Sequence, residues 1–146
     1  MFLSTIDLHD EEIYLKLQGT AEADELKGFL PSYYFTIHRY EDDVELGRCD
    51  LRIGCNRNTE INGNLGYVIH TQYREHHYAG KACLLMMQLA RKHHMQCLII
   101  TCRPENIASR KTCLYLGAEF QEIFELPEGH DLRQNGTKMC RYKVVL

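Results

Sequence analysis

The chain has 146 residues, 45% of them hydrophobic and 25% charged, with a formal net charge of −3 and a pI near 6.2. This composition describes a single globular domain, 1–146, long enough to bury a core of its own. Mild acidity without any Lys/Arg cluster interleaved with aromatics weighs against nucleic acid as a partner, and no apolar run approaches a membrane span.

Met1 to Glu12 carries neither a basic region nor a long apolar stretch, so it does not read as a signal peptide. The seven cysteines (Cys49, Cys55, Cys83, Cys97, Cys102, Cys113 and Cys140) form an odd set without regular spacing. Free thiols in a reducing cytoplasm fit them better than a disulfide framework.

Phe2–Ile6 reads as a short strand, followed by polar and helical material from Asp10 to about Leu30. Tyr34–Tyr40, rich in aromatic and β-branched residues, reads as a strand. Glu41–Asp43 turns it, and Val44–Ile53 returns as its antiparallel partner. Asn56–Asn64 reads as a polar loop around the turn dipeptide Asn62-Gly63, and Leu65–Ile69 is the next strand. The clearest helix spans Ala79–His94. There Ala82, Leu85, Met86, Leu89 and Ala90 recur at helical spacing as one apolar stripe, and Arg91–His94 place cations at the C-terminal end. Cys97–Thr101 is a short apolar strand of the buried kind. Strand, helix and strand in this order predict that Leu65–Ile69 and Cys97–Thr101 run parallel. Asn106 caps a further helix, Ile107–Leu116, which stops at Gly117. Phe120–Leu126 and Lys138–Val145 complete an α+β fold with a mixed sheet, antiparallel at both ends and parallel near the middle.

The passage from Leu65 to Ala82 is the most informative. A strand gives way to a short polar turn and then directly to a helix N-terminus, where successive N–H groups lack intrahelical partners and the macrodipole favours an anion. A phosphate-bearing ligand is expected there.

Three features stand in order: this strand–turn–helix, the strand 97–101, and Asn106-Ile-Ala-Ser109 opening a helix that ends Leu116-Gly117-Ala118. In this the chain resembles the GNAT superfamily of acetyl-CoA-dependent N-acetyltransferases. The family signature Arg/Gln-x-x-Gly-x-Gly/Ala maps onto Arg74-Glu-His-His77-Tyr-Ala79, with His77 where glycine is usual. The second signature, Asn-x-x-Ser before a helix ending Leu-Gly-Phe/Ala, maps onto Asn106, Ser109 and Leu116–Ala118. The resemblance implies a central mixed sheet with a splayed parallel pair, flanked by helices. It also implies acetyl-CoA as co-substrate, with Arg74 in the signature and the pyrophosphate on backbone N–H groups of Glu75, His76, His77, Tyr78, Ala79 and Gly80. Main-chain groups of Tyr67, Val68 and Ile69 would pair with the pantetheine arm, and Asn106 would hydrogen-bond the cofactor where the strands part. The turn then requires His77 to adopt a positive φ, which histidine tolerates better than most residues.

The implied reaction is direct attack of a primary amine, on a small molecule or a peptide, upon the thioester. The amine must lose a proton, and an acid can protonate the departing thiolate. Many relatives place a glutamate at the position of Thr101 and a tyrosine at that of Cys113; neither is present. Cys113, with an ordinary thiol pKa of about 8.5, is the candidate acid, against the reading of a buried structural cysteine. Tyr115 lies two residues further and faces away from Cys113 on a helix. Candidate bases are Asp50, His38, His70 or an ordered water. Catalysis would rest largely on holding the reactants together, with the Ile69 N–H polarising the thioester carbonyl. The pairs His76-His77 and His93-His94 lack metal-ligand spacing, so no metal is expected. The acceptor groove is expected between Asp10–Leu30 and the Phe120–Val145 hairpin. A non-catalytic acyl-CoA-binding or regulatory module is the alternative. Edge-strand pairing admits a homodimer, although no feature selects an interface.

Overall fold

The computed structural model describes residues 1–146. Its elements are β1 (Ile13–Ala21), β2 (Ser32–Arg39), β3 (Glu45–Arg52), α1 (Arg57–Asn62), β4 (Leu65–Ile69), α2 (Tyr78–Lys92), β5 (Cys97–Cys102), α3 (Ile107–Tyr115), β6 (Glu119–Glu125) and β7 (Lys138–Val145). The fold is α+β, but the strands form two sheets, ordered β1-β2-β3-β4 and β5-β7-β6. Every pairing within them is antiparallel. No ladder joins β4 to β5, so the expected parallel pair is not a hydrogen-bonded one.

Two expectations near the N-terminus fail. Phe2–Ile6 forms no strand, and Asp10–Leu30 holds β1 and a tight loop closed by an Asp24–Phe29 bridge instead of a helix. The physical signal was present: Ile13, Leu15 and Leu17 alternate with Tyr14, Lys16 and Gln18, the period of a strand with one buried face. Ile13 and Leu15 are buried while Leu17 is exposed, because the register with β2 slips between Leu17 and Gly19. The Asn56–Asn64 segment also differs. It contains α1, started by a reciprocal cap in which Asn56 Oδ1 accepts from the Thr59 N–H and Thr59 Oγ1 from the Asn56 N–H.

The core lies between the first sheet and α2. Tyr33, Phe35 and Ile37 of β2, Cys49 and Leu51 of β3, and Leu65 and Ile69 of β4 present one face. The α2 stripe Ala82, Leu85, Met86, Leu89 and Ala90 is buried with them, widened by Cys83 and Met87. No helix is long and apolar enough to cross a membrane.

One residue pair joins the two sheets. The Asn64 N–H donates to the Ile99 carbonyl at 2.7 Å, and its side-chain oxygen accepts from the Ile99 N–H at 2.9 Å. Its amide nitrogen donates to the carbonyls of Arg52 and Gly54. Gly63, at φ +78°, brings the chain so close to β5 that a Cβ there would lie 3.0 Å from the Ile99 oxygen. Beyond this junction the facing edges of β4 and β5 carry no shared ladder.

Candidate active site

A cleft of about 1080 Å³ follows β4 from Tyr67 to Ile69, passes the turn before α2, and is walled on the far side by the start of α3. Tyr67, Val68, Ile69, Arg74, Glu75, His77, Tyr78, Ala79, Gly80 and Asn106 all line it. His76 does not; it borders a smaller depression with Asp10, Glu11, Glu12 and Lys81. Cys113 does not line the cleft either.

The turn between Ile69 and α2 has the geometry an anion requires. Glu75 and His77 both sit at positive φ, +73° and +61°. His77 occupies the N-cap position without a side-chain cap. From Glu75 to Gly80, six consecutive backbone N–H groups make no hydrogen bond within the chain. Unpaired N–H groups leading into a helix N-terminus build a positive pole from main chain alone. The His77 ring stacks on Tyr115, with centroids 5.0 Å apart and planes 14° from parallel. Gly80 permits this packing, since a Cβ there would lie 2.3 Å from the Tyr115 ring. Tyr115 thus closes the cleft floor beside α2, a role its spacing from Cys113 on α3 did not suggest.

The β4 edge is equally specific. The Asn64 carbonyl accepts from the Arg52 N–H, and the His70 N–H donates to the Leu46 carbonyl. Antiparallel alternation therefore turns the even-numbered residues of β4 toward β3, and directs main-chain groups of Tyr67 and Ile69 to the free edge. Val68 offers the cleft its side chain instead, 44% exposed. The Ile69 carbonyl is already engaged by Arg74 Nε at 3.1 Å, which holds that arginine against the strand end. Lys111 is the other lysine or arginine of the lining.

On the opposite wall, Asn106 Oδ1 accepts from the Ser109 N–H at 3.1 Å and caps α3. The Ser109 hydroxyl meets that of Tyr67 at 2.7 Å, tying α3 to β4 across the cleft floor. Burial pushes the Tyr67 phenol above its usual range. Cys113 is fully buried, and the neighbouring Cys102 and desolvation hold its thiol far above the usual range. It belongs to the core beneath the cleft. Among the proposed bases, His38 contacts Thr36 at 2.9 Å and His70 pairs with Glu45 at 2.6 Å, whereas Asp50 lies on β3 beside β4.

A family model for the acetyltransferase (GNAT) domain matches residues 4–119. A search of curated proteins returns no match. Among solved structures, a proposed ribosomal-protein-serine acetyltransferase from Vibrio cholerae superposes with a TM-score of 0.69 at 15% identity, over 98% of this chain and all of that one. RimL, a ribosomal L7/L12 α-N-protein acetyltransferase solved with coenzyme A, gives 0.68 at 11% identity, over 94% of this chain and 96% of its own. The microcin C7 self-immunity acetyltransferase MccE, solved with acetyl-CoA and AMP, gives 0.62 at 16% identity, over 79% and 61%. At such identities the likeness is one of fold. The domain match, spanning β1 through α3 and so both walls of the cleft, makes this chain a member of the GNAT acetyltransferases.

Proposed function

We propose that the chain is an N-acetyltransferase that moves the acetyl group of acetyl-CoA to a primary amine by direct attack. The observation that carries this reading is the run of six unpaired N–H groups from Glu75 to Gly80 at one end of a cleft bordered by a free strand edge. A pyrophosphate fits the first feature and an extended amide-bearing arm fits the second, because each supplies the acceptors or the ladder that the main chain lacks. Arg74 and Lys111 suit the remaining phosphate charge. Acetyl-CoA supplies an activated thioester. Tyr67 and Ile69 orient its arm, and a main-chain N–H of this edge polarises the thioester carbonyl. Asn106 holds the opposite wall.

The acceptor is a small-molecule or peptide amine. Solved relatives of the same fold are described as acting on ribosomal proteins, which supports a peptide or protein acceptor. The segment Asp10–Leu30 supplies no helix to bound a groove, so the acceptor approaches sheet and loop on that side. One observation favours the alternative of a non-catalytic acyl-CoA-binding module: Glu75 is the only carboxylate lining the cleft.

Calorimetry with acetyl-CoA, followed by thiol release with a panel of amines, amino acids and peptides, tests both readings. We expect acetyl-CoA binding and acceptor-dependent release. Binding without release across the panel would select the non-catalytic module, and failure to bind acetyl-CoA would overturn both.

A further inference from the structure

The first sheet has a second face, turned away from α2, and one row across it is unusual. Gly19, Tyr34, Asp50 and Gly66 are successive cross-strand partners over β1 to β4. At Gly19 a Cβ would meet nothing, while at Gly66 it would strike Asp50 Oδ1 at 2.4 Å. The row therefore sets a tyrosine ring and a carboxylate between two positions without side chains, and the carboxylate lies directly on the β4 backbone. Asp50 Oδ2 is buried and accepts no directed hydrogen bond. Arg52 Nη2 pairs with it at 3.0 Å, while Nη1 donates to the Gly63 carbonyl. A mid-strand carboxylate whose desolvation is offset by a single ion pair, without a directed hydrogen bond, is costly unless something else uses it.

Given the acetyltransferase reading, on which this inference rests, the place of Asp50 has a meaning. The anion end of the cleft lies beyond the C-terminal end of β4. An extended arm running back along Ile69 and Tyr67 ends near Gly66, next to the Asn64 junction. Asp50 reaches β4 at that residue.

We infer that Asp50 and the Tyr34 ring bind the acceptor's ammonium group, and that Asp50 takes its proton. A ring face and a carboxylate together suit a primary ammonium. The ammonium gives one proton to the Asp50 carboxylate, and the freed nitrogen lone pair forms the bond to the acetyl carbon. The carbon–sulfur bond breaks with its electron pair on sulfur, the second nitrogen proton passes to that thiolate, and Asp50 releases its proton to water. Burial raises the Asp50 pKa and Arg52 opposes this.

The groups facing Asp50 also constrain the acceptor. Arg48 and Arg52 flank it on β3, Tyr34 faces it from β2, β4 offers only Gly66 and Val68, and Lys16 of β1 lies one row beyond Gly19. Arg52 beside the carboxylate and Arg48 two residues before it on β3 favour an amine with an anionic group nearby, such as an acidic peptide N-terminus, over a polyamine.

The experiment compares wild type with Asp50→Asn, which preserves side-chain shape. Amide shifts are followed by NMR in the presence of coenzyme A while the tripeptide Ala-Glu-Glu is added, and thiol release is measured with acetyl-CoA. In the wild type we expect peptide-dependent shifts at Tyr34 and Gly66, and greater turnover with Ala-Glu-Glu than with spermidine. In Asp50→Asn we expect unchanged acetyl-CoA affinity, lost shifts, a kcat/KM for peptide about 100-fold lower, and loss of the acid limb of the pH profile. Peptide shifts that map elsewhere, or an Asp50→Asn enzyme with wild-type kcat/KM, would overturn the inference. Better turnover with spermidine would overturn the assignment of acceptor class. Failure of the wild type to bind acetyl-CoA would instead overturn the acetyltransferase reading itself.

Discussion

His77 shows how a single residue can depart from a family signature without losing the local geometry. Its φ of +61° is the left-handed conformation that glycine adopts freely, and its ring is held by stacking on Tyr115. The two effects are of similar size: the left-handed backbone costs about 1–2 kcal/mol for an L-residue, and an aromatic pair contributes about 0.5–1.5 kcal/mol. We therefore expect His77→Gly to be close to neutral in urea unfolding, because relief of strain offsets the lost stack. His77→Ala should lose about 1 kcal/mol, keeping the strained backbone without the ring. Equal stabilities for the two variants would show that the stack contributes nothing. The histidine was legible as an irregularity in sequence, but its partner was not. Tyr115 is remote from residue 77 along the chain, and only the Gly80 contact reveals why the two rings meet.

At the level of elements, one hydroxyl links the N-terminal segment to two others. Tyr33 Oη accepts from the Leu3 N–H at 2.7 Å and meets His93 Nε2 at 2.6 Å, linking the chain start, β2 and the end of α2. Tyr33→Phe should cost about 1–3 kcal/mol by leaving both partners without it, read from urea midpoints. Desolvation is the main cause that lowers the His93 pKa below 6.5. The unfolded chain therefore binds a proton that the folded one resists. This contribution to stability is complete above the unfolded value and is lost as pH falls below it, levelling off below the folded value. Urea midpoints between about pH 5 and 8 should decline on the acid side of that window in the wild type, and less so in His93→Gln. An unchanged acid slope in the variant would assign it to other groups. Helix α2 was legible because its periodicity is strong, and strands β2 to β7 because of their aromatic, β-branched or apolar runs. Strand β1 was not, although Ile13 and Leu15 alternate correctly, because the acidic run Asp10–Glu12 ahead of it resembles a helix start.

Across the whole molecule, the division into two sheets is the feature that sequence order concealed. A strand–helix–strand succession normally predicts neighbours in one sheet, but here β4 and β5 are linked only around Asn64. This residue uses its side-chain oxygen and both amide hydrogens on main-chain partners while 1% exposed. Asn64→Ala leaves the Ile99 N–H and two carbonyls without it, so we expect a loss of about 3 kcal/mol or more in urea unfolding. A loss under about 1 kcal/mol would mean that water replaces the side chain. In sequence Asn62-Gly63 marks a turn and Asn64 only the end of a polar loop, because a buried amide that joins two sheets has no local signature. The lining of the cleft, by contrast, follows the strand, turn and helix start that the sequence spells out, with His76 and Cys113 outside it.

The separation of β4 from β5 has a consequence beyond ligand binding. Each is the outer strand of its sheet, and each turns main-chain groups toward the gap. Exposed edges of this kind are templates on which another chain can add a strand, and proteins ordinarily blunt them with charge, proline or bulges. Here Leu65–Ile69 and Cys97–Cys102 carry no charged residue and no proline. Narrowness at Asn64 is the protection instead: a foreign strand would have to enter a gap already closed at one end. The splay that leaves β4 its free edge also keeps two sticky edges from seeding aggregation.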